Sequence, residues 1–140
     1  MDYFAKSLMD KSLAFAVRIT KLAQFPGEEK KEYVLSRQIA KSGTSIGANV
    51  REAQFAQGDL DFISRISIAL KEGSETQYWF EVLLKSEYIT EVQYQSLRND
   101  ADCPVGLLVK TIKSKKRNLS FSLPSHKSSN HSGRKQEITR

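Results

Sequence analysis

The chain has 140 residues and one cysteine, Cys103, and its formal net charge at pH 7 is +6. This length is typical of one domain with a single core, and one cysteine excludes a disulfide within the chain. The sequence has neither a secretory signal pattern nor an apolar run near the ~20 residues that cross a bilayer, so we expect a cytoplasmic protein with no membrane partner.

The first predicted element is a helix over about 3–24. Small and apolar residues recur there at alternating steps of three and four, which places them on one helical face. They are Ala5, Leu8, Ser12, Phe15, Ile19 and Leu22. The segment QFPGEE predicts the end of this helix, because Pro26 disfavours helical backbone at Phe25 and Gly27 favours a turn.

A second helix is predicted over about 28–57. Its stripe has the same spacing and becomes small and polar towards its end; the residues are Leu35, Ile39, Ser42, Ile46, Asn49, Ala53 and Ala56. Gly58 and Asp59 are interpreted as the C-cap of this helix and the N-cap of the next.

The segment KSGTSIGANVREA, residues 41–53, places two glycines inside the second helix. Each costs about 1 kcal/mol relative to alanine, so something must compensate. Gly43 and Gly47 are four residues apart on one face, which predicts tight helix packing, with Asn49 as a buried hydrogen-bonding residue that fixes the register. A helix break that presents backbone amides to an anion, or a close subunit contact, remains an alternative.

A third helix is predicted over about 59–86, with a stripe of Ile63, Ile66, Leu70, Gly73, Gln77, Phe80 and Leu84. The segment YWFEVLL, residues 78–84, carries apolar side chains over much more than one stripe. Tyr78, Trp79 and Leu83 lie beside the stripe and are candidates for an oligomer interface. A wide core within one chain and a small-molecule pocket are the alternatives.

A fourth helix follows Thr90, which with Gln93 has the spacing of a capping box. Pro104 predicts a kink or an interruption in it. Its stripe consists of Tyr94, Leu97, Ala101, Leu108 and Ile112. Four long helices joined by short connections predict an all-α fold, an antiparallel up-and-down four-helix bundle over residues 1–113.

Residues 114–140 contain seven basic residues and one acid, whereas residues 1–113 contain 15 of each. This serine-rich segment is expected to be an extended or disordered tail. Its bases are the candidate nucleic-acid contacts: Lys115, Lys116, Arg117, Lys127, Arg134, Lys135 and Arg140. A tail that only solubilises the chain is the alternative. Within it, Leu119, Phe121 and Leu123 alternate, as in a short strand or an extended docking peptide.

No catalytic residue, metal site or cofactor site is predicted. Glu72 and Glu75 have the spacing of paired carboxylates, but residues 1–113 contain no histidine to complete a di-metal site. Cys103 lacks a nearby histidine base, because His126 and His131 both lie in the tail. We therefore expect a protein that is not an enzyme.

Four segments carry a family resemblance: FPGEE, QIAKSGTSIGANVREA, FISRISIALKEGSETQYWFEVLL and YIT. In this order they resemble the four-helix-bundle proteins encoded by intervening sequences in bacterial 23S ribosomal RNA genes. The resemblance implies a homo-oligomer, typically a pentameric ring, without recognised enzymatic activity. It also assigns structural or interfacial roles to the residues that match its two motifs, which are Asn49, Arg51, Glu52, Glu75, Tyr78 and Trp79.

The resemblance extends to the accessory protein of diversity-generating retroelements, which pairs with a reverse transcriptase and binds nucleic acid. Together these observations predict a non-enzymatic, homo-oligomeric bundle that associates with RNA or a ribonucleoprotein. The alternative is a structural module that binds a protein partner such as a reverse transcriptase. Salt-dependent RNA binding by the purified chain distinguishes the first function from the second.

Overall fold

The structure, a computed structural model, describes residues 3–29 and 33–122. Each helix packs on the next, and the last packs back on the first, which gives the predicted all-α, antiparallel up-and-down bundle. In the described part of the chain every regular element is a helix. The four helices are α1 (Tyr3–Glu29), α2 (Tyr33–Ala53), α3 (Asp59–Lys85) and α4 (Glu91–Ser122).

The core follows the predicted stripes closely in α1, α2 and α4. Their buried apolar residues are Leu8, Phe15, Ile19, Ile39, Ile46, Val50, Ala53, Tyr94, Leu97, Ala101 and Leu108. In α3 the buried face is rotated from the predicted stripe, and it consists of Ile66, Ala69, Gly73, Thr76, Phe80 and Leu83. The small side chains of Ala69 and Thr76 take core positions because the neighbouring helices lie close, so side-chain size, not hydrophobicity alone, selects this face.

Two glycines let neighbouring helices approach closely. A Cβ atom built on Gly43 would lie 2.7 Å from Cγ2 of Ile19 in α1, and one built on Gly73 would lie 2.8 Å from Cγ2 of Val105 in α4. Both distances are shorter than carbon atoms tolerate, so each glycine provides the space for a branched side chain from another helix. The prediction of tight packing is met at Gly43.

A buried polar pair connects α2 to α3. Thr76 Oγ1 lies 2.9 Å from Ser42 Oγ and 2.8 Å from the carbonyl oxygen of Glu72, so the hydroxyl groups are satisfied without water. Ser42 also lies within reach of the carbonyl oxygen of Ile39, at 3.4 Å. Since Ser42 and Thr76 are both almost completely buried, their mutual contact prevents the cost of an unpaired polar group.

The ends of the first two helices differ from the prediction, and α2 begins at Tyr33 instead of near residue 28. Helix α1 does not end before Pro26 but continues to Glu29, because proline removes only one backbone hydrogen bond and the two glutamates at the end are good helix formers. Helix α2 ends at Ala53, earlier than predicted, because the next amides bond to carbonyls three residues back and tighten the last turn. Asp59 is the first residue of α3, and its N-cap is Gly58.

The connection from α3 to α4 is fixed by hydrogen bonds at both helix ends. The predicted capping box is confirmed, because Thr90 N donates to Gln93 Oε1 at 2.9 Å and Gln93 N donates to Thr90 Oγ1 at 3.2 Å. At the end of α3, Glu87 N donates to Leu84 O and Tyr88 N donates to Leu83 O, the pattern of a Schellman motif. Glu87 has a φ of 64°, a left-handed conformation that glycine usually occupies.

Helix α4 is longer and more regular than the sequence predicts. It passes through Pro104 without interruption, and the proline ring is fully buried at the core position between Ala101 and Leu108, which offsets its missing hydrogen bond. It also continues to Ser122, so residues 114–122 are helical and form neither the expected extended tail nor a short strand. Residues 123–140 of the predicted tail lie outside the described residues.

The two glycines of α2 should respond in opposite ways to alanine. We expect Gly43→Ala to lower the free energy of unfolding by about 1–3 kcal/mol, because its Cβ would collide with the buried Ile19. A Cβ on Gly47 would meet the backbone oxygen of Ser12 at 3.4 Å, an ordinary contact, so Gly47→Ala should raise stability by up to about 1 kcal/mol through helix propensity. Urea unfolding at equal chain concentration measures both, and equal effects would contradict the packing argument.

Glu87 offers a test of the Schellman motif. We expect Glu87→Gly to raise the free energy of unfolding by about 0.5–1 kcal/mol, because glycine adopts the left-handed conformation without a Cβ clash. Thermal and urea unfolding followed by circular dichroism measure the change. Glu87→Ala is the matched control, since it removes the charge and keeps the Cβ, and it should leave stability nearly unchanged. A gain of the same size in the alanine variant would contradict the conformational explanation.

Candidate interaction surfaces

The predicted nucleic-acid contacts of the described chain lie on the last turns of α4. Lys115 is already engaged, because its Nζ lies 3.1 Å from Asp59 Oδ1 and 4.9 Å from the ring centroid of Phe62. Lys116 and Arg117 are exposed and form no ion pair with a described residue. The remaining four candidates lie outside the described residues; they are Lys127, Arg134, Lys135 and Arg140.

Two further bases join this surface that the sequence prediction did not include. Lys110, Lys113 and Arg117 are separated by three and four residues, so they lie along one side of α4. All three are exposed and have no ion pair within the described part of the chain; we call them the α4 basic stripe. No acidic residue occurs in α4 from Cys103 to its end. Extending the helical periodicity beyond 113 would have revealed the stripe.

The acids of α4 all lie before the stripe, and two of them, Asp100 and Asp102, form ion pairs. Asp100 forms an ion pair with Arg18 of α1, which also donates a 3.0 Å hydrogen bond to Ser96 Oγ. Asp102 lies 3.2 Å from Nε of Arg98 and accepts a hydrogen bond from Gln77 of α3. These contacts attach the first half of α4 to α1 and α3. Because they also pair its charges, the unpaired positive charge of α4 is concentrated in the second half.

The predicted interface residues of α3 separate into exposed and buried groups. Tyr78 is 56% exposed, and its ring meets the ring of Trp79 edge-on, with centroids 5.2 Å apart. Trp79 is half-buried, and its Nε1 donates a 3.2 Å hydrogen bond to Glu75 Oε1. Leu83 is completely buried in the core of one chain, which corrects its assignment to an oligomer interface. We call Glu75, Tyr78, Trp79 and Val82 the α3 aromatic face.

An apolar groove runs along the outside of α1 and α2. It has a volume of about 340 Å³ and is lined by Met9, Ser12, Leu13, Ala16, Thr44, Gly47, Ala48, Arg51 and Glu52. We call it the α1–α2 groove. Leu13 is 53% exposed beside it, and neither α1 between Lys11 and Arg18 nor α2 between Lys41 and Arg51 contains a charged residue. Gly47 lies in this groove, and unbroken α2 backbone excludes a helix break there.

The motif residues of α2 make contacts within the bundle. Asn49 is half-buried, and its Nδ2 donates a 2.8 Å hydrogen bond to Ser45 O of the same helix. This bond does not connect two helices, unlike the register contact that the sequence predicts. Glu52 lies 2.8 Å from NH1 of Arg65 and so joins α2 to α3. Arg51 is exposed at the groove and has no ion pair in the described chain.

Glu72 and Glu75 are next to each other on α3 and repel. Partial burial and the charge of Glu75 raise the pKa of Glu72 above its ordinary value, while Lys41 of α2 opposes the shift. The described residues contain no cluster of histidine, cysteine and acidic side chains that could hold a metal ion. The pair therefore places two neighbouring carboxylates on α3, one of which, Glu75, belongs to the α3 aromatic face.

The raised pKa of Glu72 predicts a pH-dependent effect on stability. The ionised carboxylate weakens the fold at pH values above its raised pKa, and this penalty disappears below the ordinary value of 4.5, where the carboxyl group is protonated in both states. We expect Glu72→Gln to raise the free energy of unfolding by a few tenths of a kcal/mol at neutral pH and not at acid pH. An equal change at both pH values in urea unfolding would contradict the electrostatic cause.

No described helix is long and apolar enough to cross a membrane.

The family model of the 23S rRNA-intervening sequence protein matches residues 6–110. No curated protein matches the sequence. A crystal structure from Bacteroides thetaiotaomicron, described as a protein of unknown function from the S23 ribosomal protein family, is 53% identical. The match covers 79% of this chain and 98% of that chain, with a TM-score of 0.77. The resemblance noted in the sequence is thus confirmed, and the chain belongs to the 23S rRNA-intervening sequence protein family.

Proposed function

We propose that the protein is a non-enzymatic bundle that associates with RNA by contacting its phosphate backbone through the α4 basic stripe. The observation that carries this proposal is the second half of α4, where exposed bases occur on one side of a helix without a single acid. The family description, which refers to 23S rRNA, favours RNA as the nucleic acid. Cationic side chains bind phosphates by releasing condensed counterions, and this requires no base-specific contact.

The geometry of the stripe suits a nucleic-acid strand. Lys110 and Arg117 are about 10 Å apart along the helix axis, a distance over which one strand carries about three phosphates. Lys115 supports the helix from its other side, because its contacts with Asp59 and Phe62 attach this part of α4 to the start of α3. The helix that carries the stripe is therefore formed before RNA binds, which reduces the backbone conformational entropy lost on binding.

We further propose that the chain works as a homo-oligomer. Leu13 and Tyr78 are both more than half exposed, and they belong to apolar surfaces on different helices, which favours a covering partner. Several copies would present several basic stripes, so that weak phosphate contacts would add up through avidity. The pentameric ring that the resemblance implies stays a prediction. A reverse transcriptase as partner also stays a prediction. In that case the purified chain would bind no RNA until the enzyme is added.

RNA association is tested by removing the stripe. We expect the triple variant Lys110→Gln, Lys113→Gln, Arg117→Gln to bind a short fluorescein-labelled single-stranded RNA at least about tenfold more weakly in fluorescence anisotropy. The slope of log affinity against log salt concentration should also decrease by about 2, because three phosphate contacts are lost.

The matched control removes the same charges from the opposite end of the bundle. The variant Lys21→Gln, Arg37→Gln, Lys85→Gln replaces two lysines and one arginine that are also exposed. It should retain nearly the affinity and salt slope of the unaltered chain. Equal losses in both variants would indicate a response to net charge alone, and unaltered binding by the stripe variant would overturn the proposal.

A further inference from the structure

We infer that one copy of this chain binds the next in a head-to-tail contact, in which the α3 aromatic face of one copy occupies the α1–α2 groove of another. This inference rests on the self-association proposed above and names the two surfaces that perform it. The occupant of the groove is therefore a second copy of the same chain, and the two surfaces in contact are different.

The two surfaces are complementary in polarity. The groove has an apolar wall, Leu13 and Ala16, opposite small residues of α2, and it leaves room for a larger side chain. The aromatic face supplies one, because the ring of Tyr78 is 56% exposed and is held edge-on by the ring of Trp79. Aromatic side chains placed in apolar pockets are typical anchors of protein interfaces.

The two surfaces are also complementary in charge. Arg51 lies at the groove without an ion pair in the described chain, and α2 contains no acid from Tyr33 as far as Arg51. The aromatic face carries Glu75, which is exposed and which contacts the like charge of Glu72. Placing Glu75 of one copy beside Arg51 of another would neutralise both charges and would fix the orientation of the contact.

The two surfaces lie on different sides of the bundle, as a head-to-tail contact requires. The groove lies on the α1–α2 side of the bundle. The aromatic face lies on the outside of α3, and its residues Tyr78 and Val82 also line a pocket with Glu91 and Tyr94 of α4. A repeated head-to-tail contact between two different surfaces gives a ring where the rotation between copies closes and an open filament where it does not.

The test uses two variants that each damage one surface. Ala48→Glu places a carboxylate in the groove at an exposed helical position, where it would face Glu75 of the next copy. Tyr78→Glu removes the anchor ring and adds a carboxylate to the aromatic face. Each variant alone should have the mass of one chain in size-exclusion chromatography with light scattering, with association at least about a hundredfold weaker. Circular dichroism and urea unfolding verify that both variants fold.

An equimolar mixture of the two variants provides the decisive measurement. The Tyr78→Glu copy retains an intact groove and the Ala48→Glu copy retains an intact aromatic face, so the mixture should form a complex of two chains. The control Asn99→Glu, which adds the same charge to an exposed position of α4, should assemble like the unaltered chain.

Four results would overturn the inference. They are a mixture that remains at the mass of one chain, assembly that persists in both variants, assembly that only one of the two variants abolishes, and an unaltered chain that has the mass of one copy. The last result also removes self-association from the proposed function. The first three leave self-association in place, and all four leave the RNA titration of the α4 basic stripe unaffected.

Discussion

The close approach of α1 to α2 at Gly43, and of α4 to α3 at Gly73, sets how tightly these two helix pairs of the bundle pack. At each site a branched side chain of one helix, Ile19 or Val105, occupies the space that a Cβ would fill. The helix pairs are thereby fixed at short distances, which selects small residues such as Ala69 for the core. The same approach brings α1 beside the small residues of α2 and creates the groove on their outer side.

Charge is divided unevenly over this scaffold. Ion pairs between helices neutralise some of the charge on the bundle, as between Arg18 and Asp100 and between Arg65 and Glu52. Exposed ion pairs of this kind contribute little stability each, but they neutralise the surface where they occur. In the second half of α4, by contrast, several exposed bases occur without any acid in the same part of the helix. The basic region thus results from the absence of acids in this part of the helix. The net charge of the first 113 residues, which is zero, gives no indication of it.

Features that depend on local chemistry could be predicted from the sequence. The four helices follow from the spacing of apolar residues, and the capping box at Thr90 and Gln93 follows from the side chains of those two residues. The close packing at Gly43 could be predicted from the cost of glycine in a helix, which requires a compensating contact. Membership of the family could also be recognised from the sequence, because its motifs are short local segments of these helices.

Features that depend on contacts distant in sequence could not. Helix α4 continues beyond 113 because Lys115 contacts Asp59 and Phe62, which are more than fifty residues away. The prediction of an extended tail therefore divided the α4 basic stripe between two regions and omitted Lys110 and Lys113. Leu83 was assigned to an interface because the buried face of α3 depends on how closely α2 and α4 approach, and hydropathy does not report that distance.

The extension of α4 past the start of α3 has a consequence for any ring of this chain. Rotational symmetry would bring the positive helix ends of all copies to the same height along the axis, where they would repel one another. A bound polyanion would relieve this repulsion, so ring closure and nucleic-acid binding would each strengthen the other. Added salt would then have two opposing effects. It would screen the repulsion between the basic helix ends in the empty ring, and it would compete with the bound polyanion for the same side chains in the occupied ring.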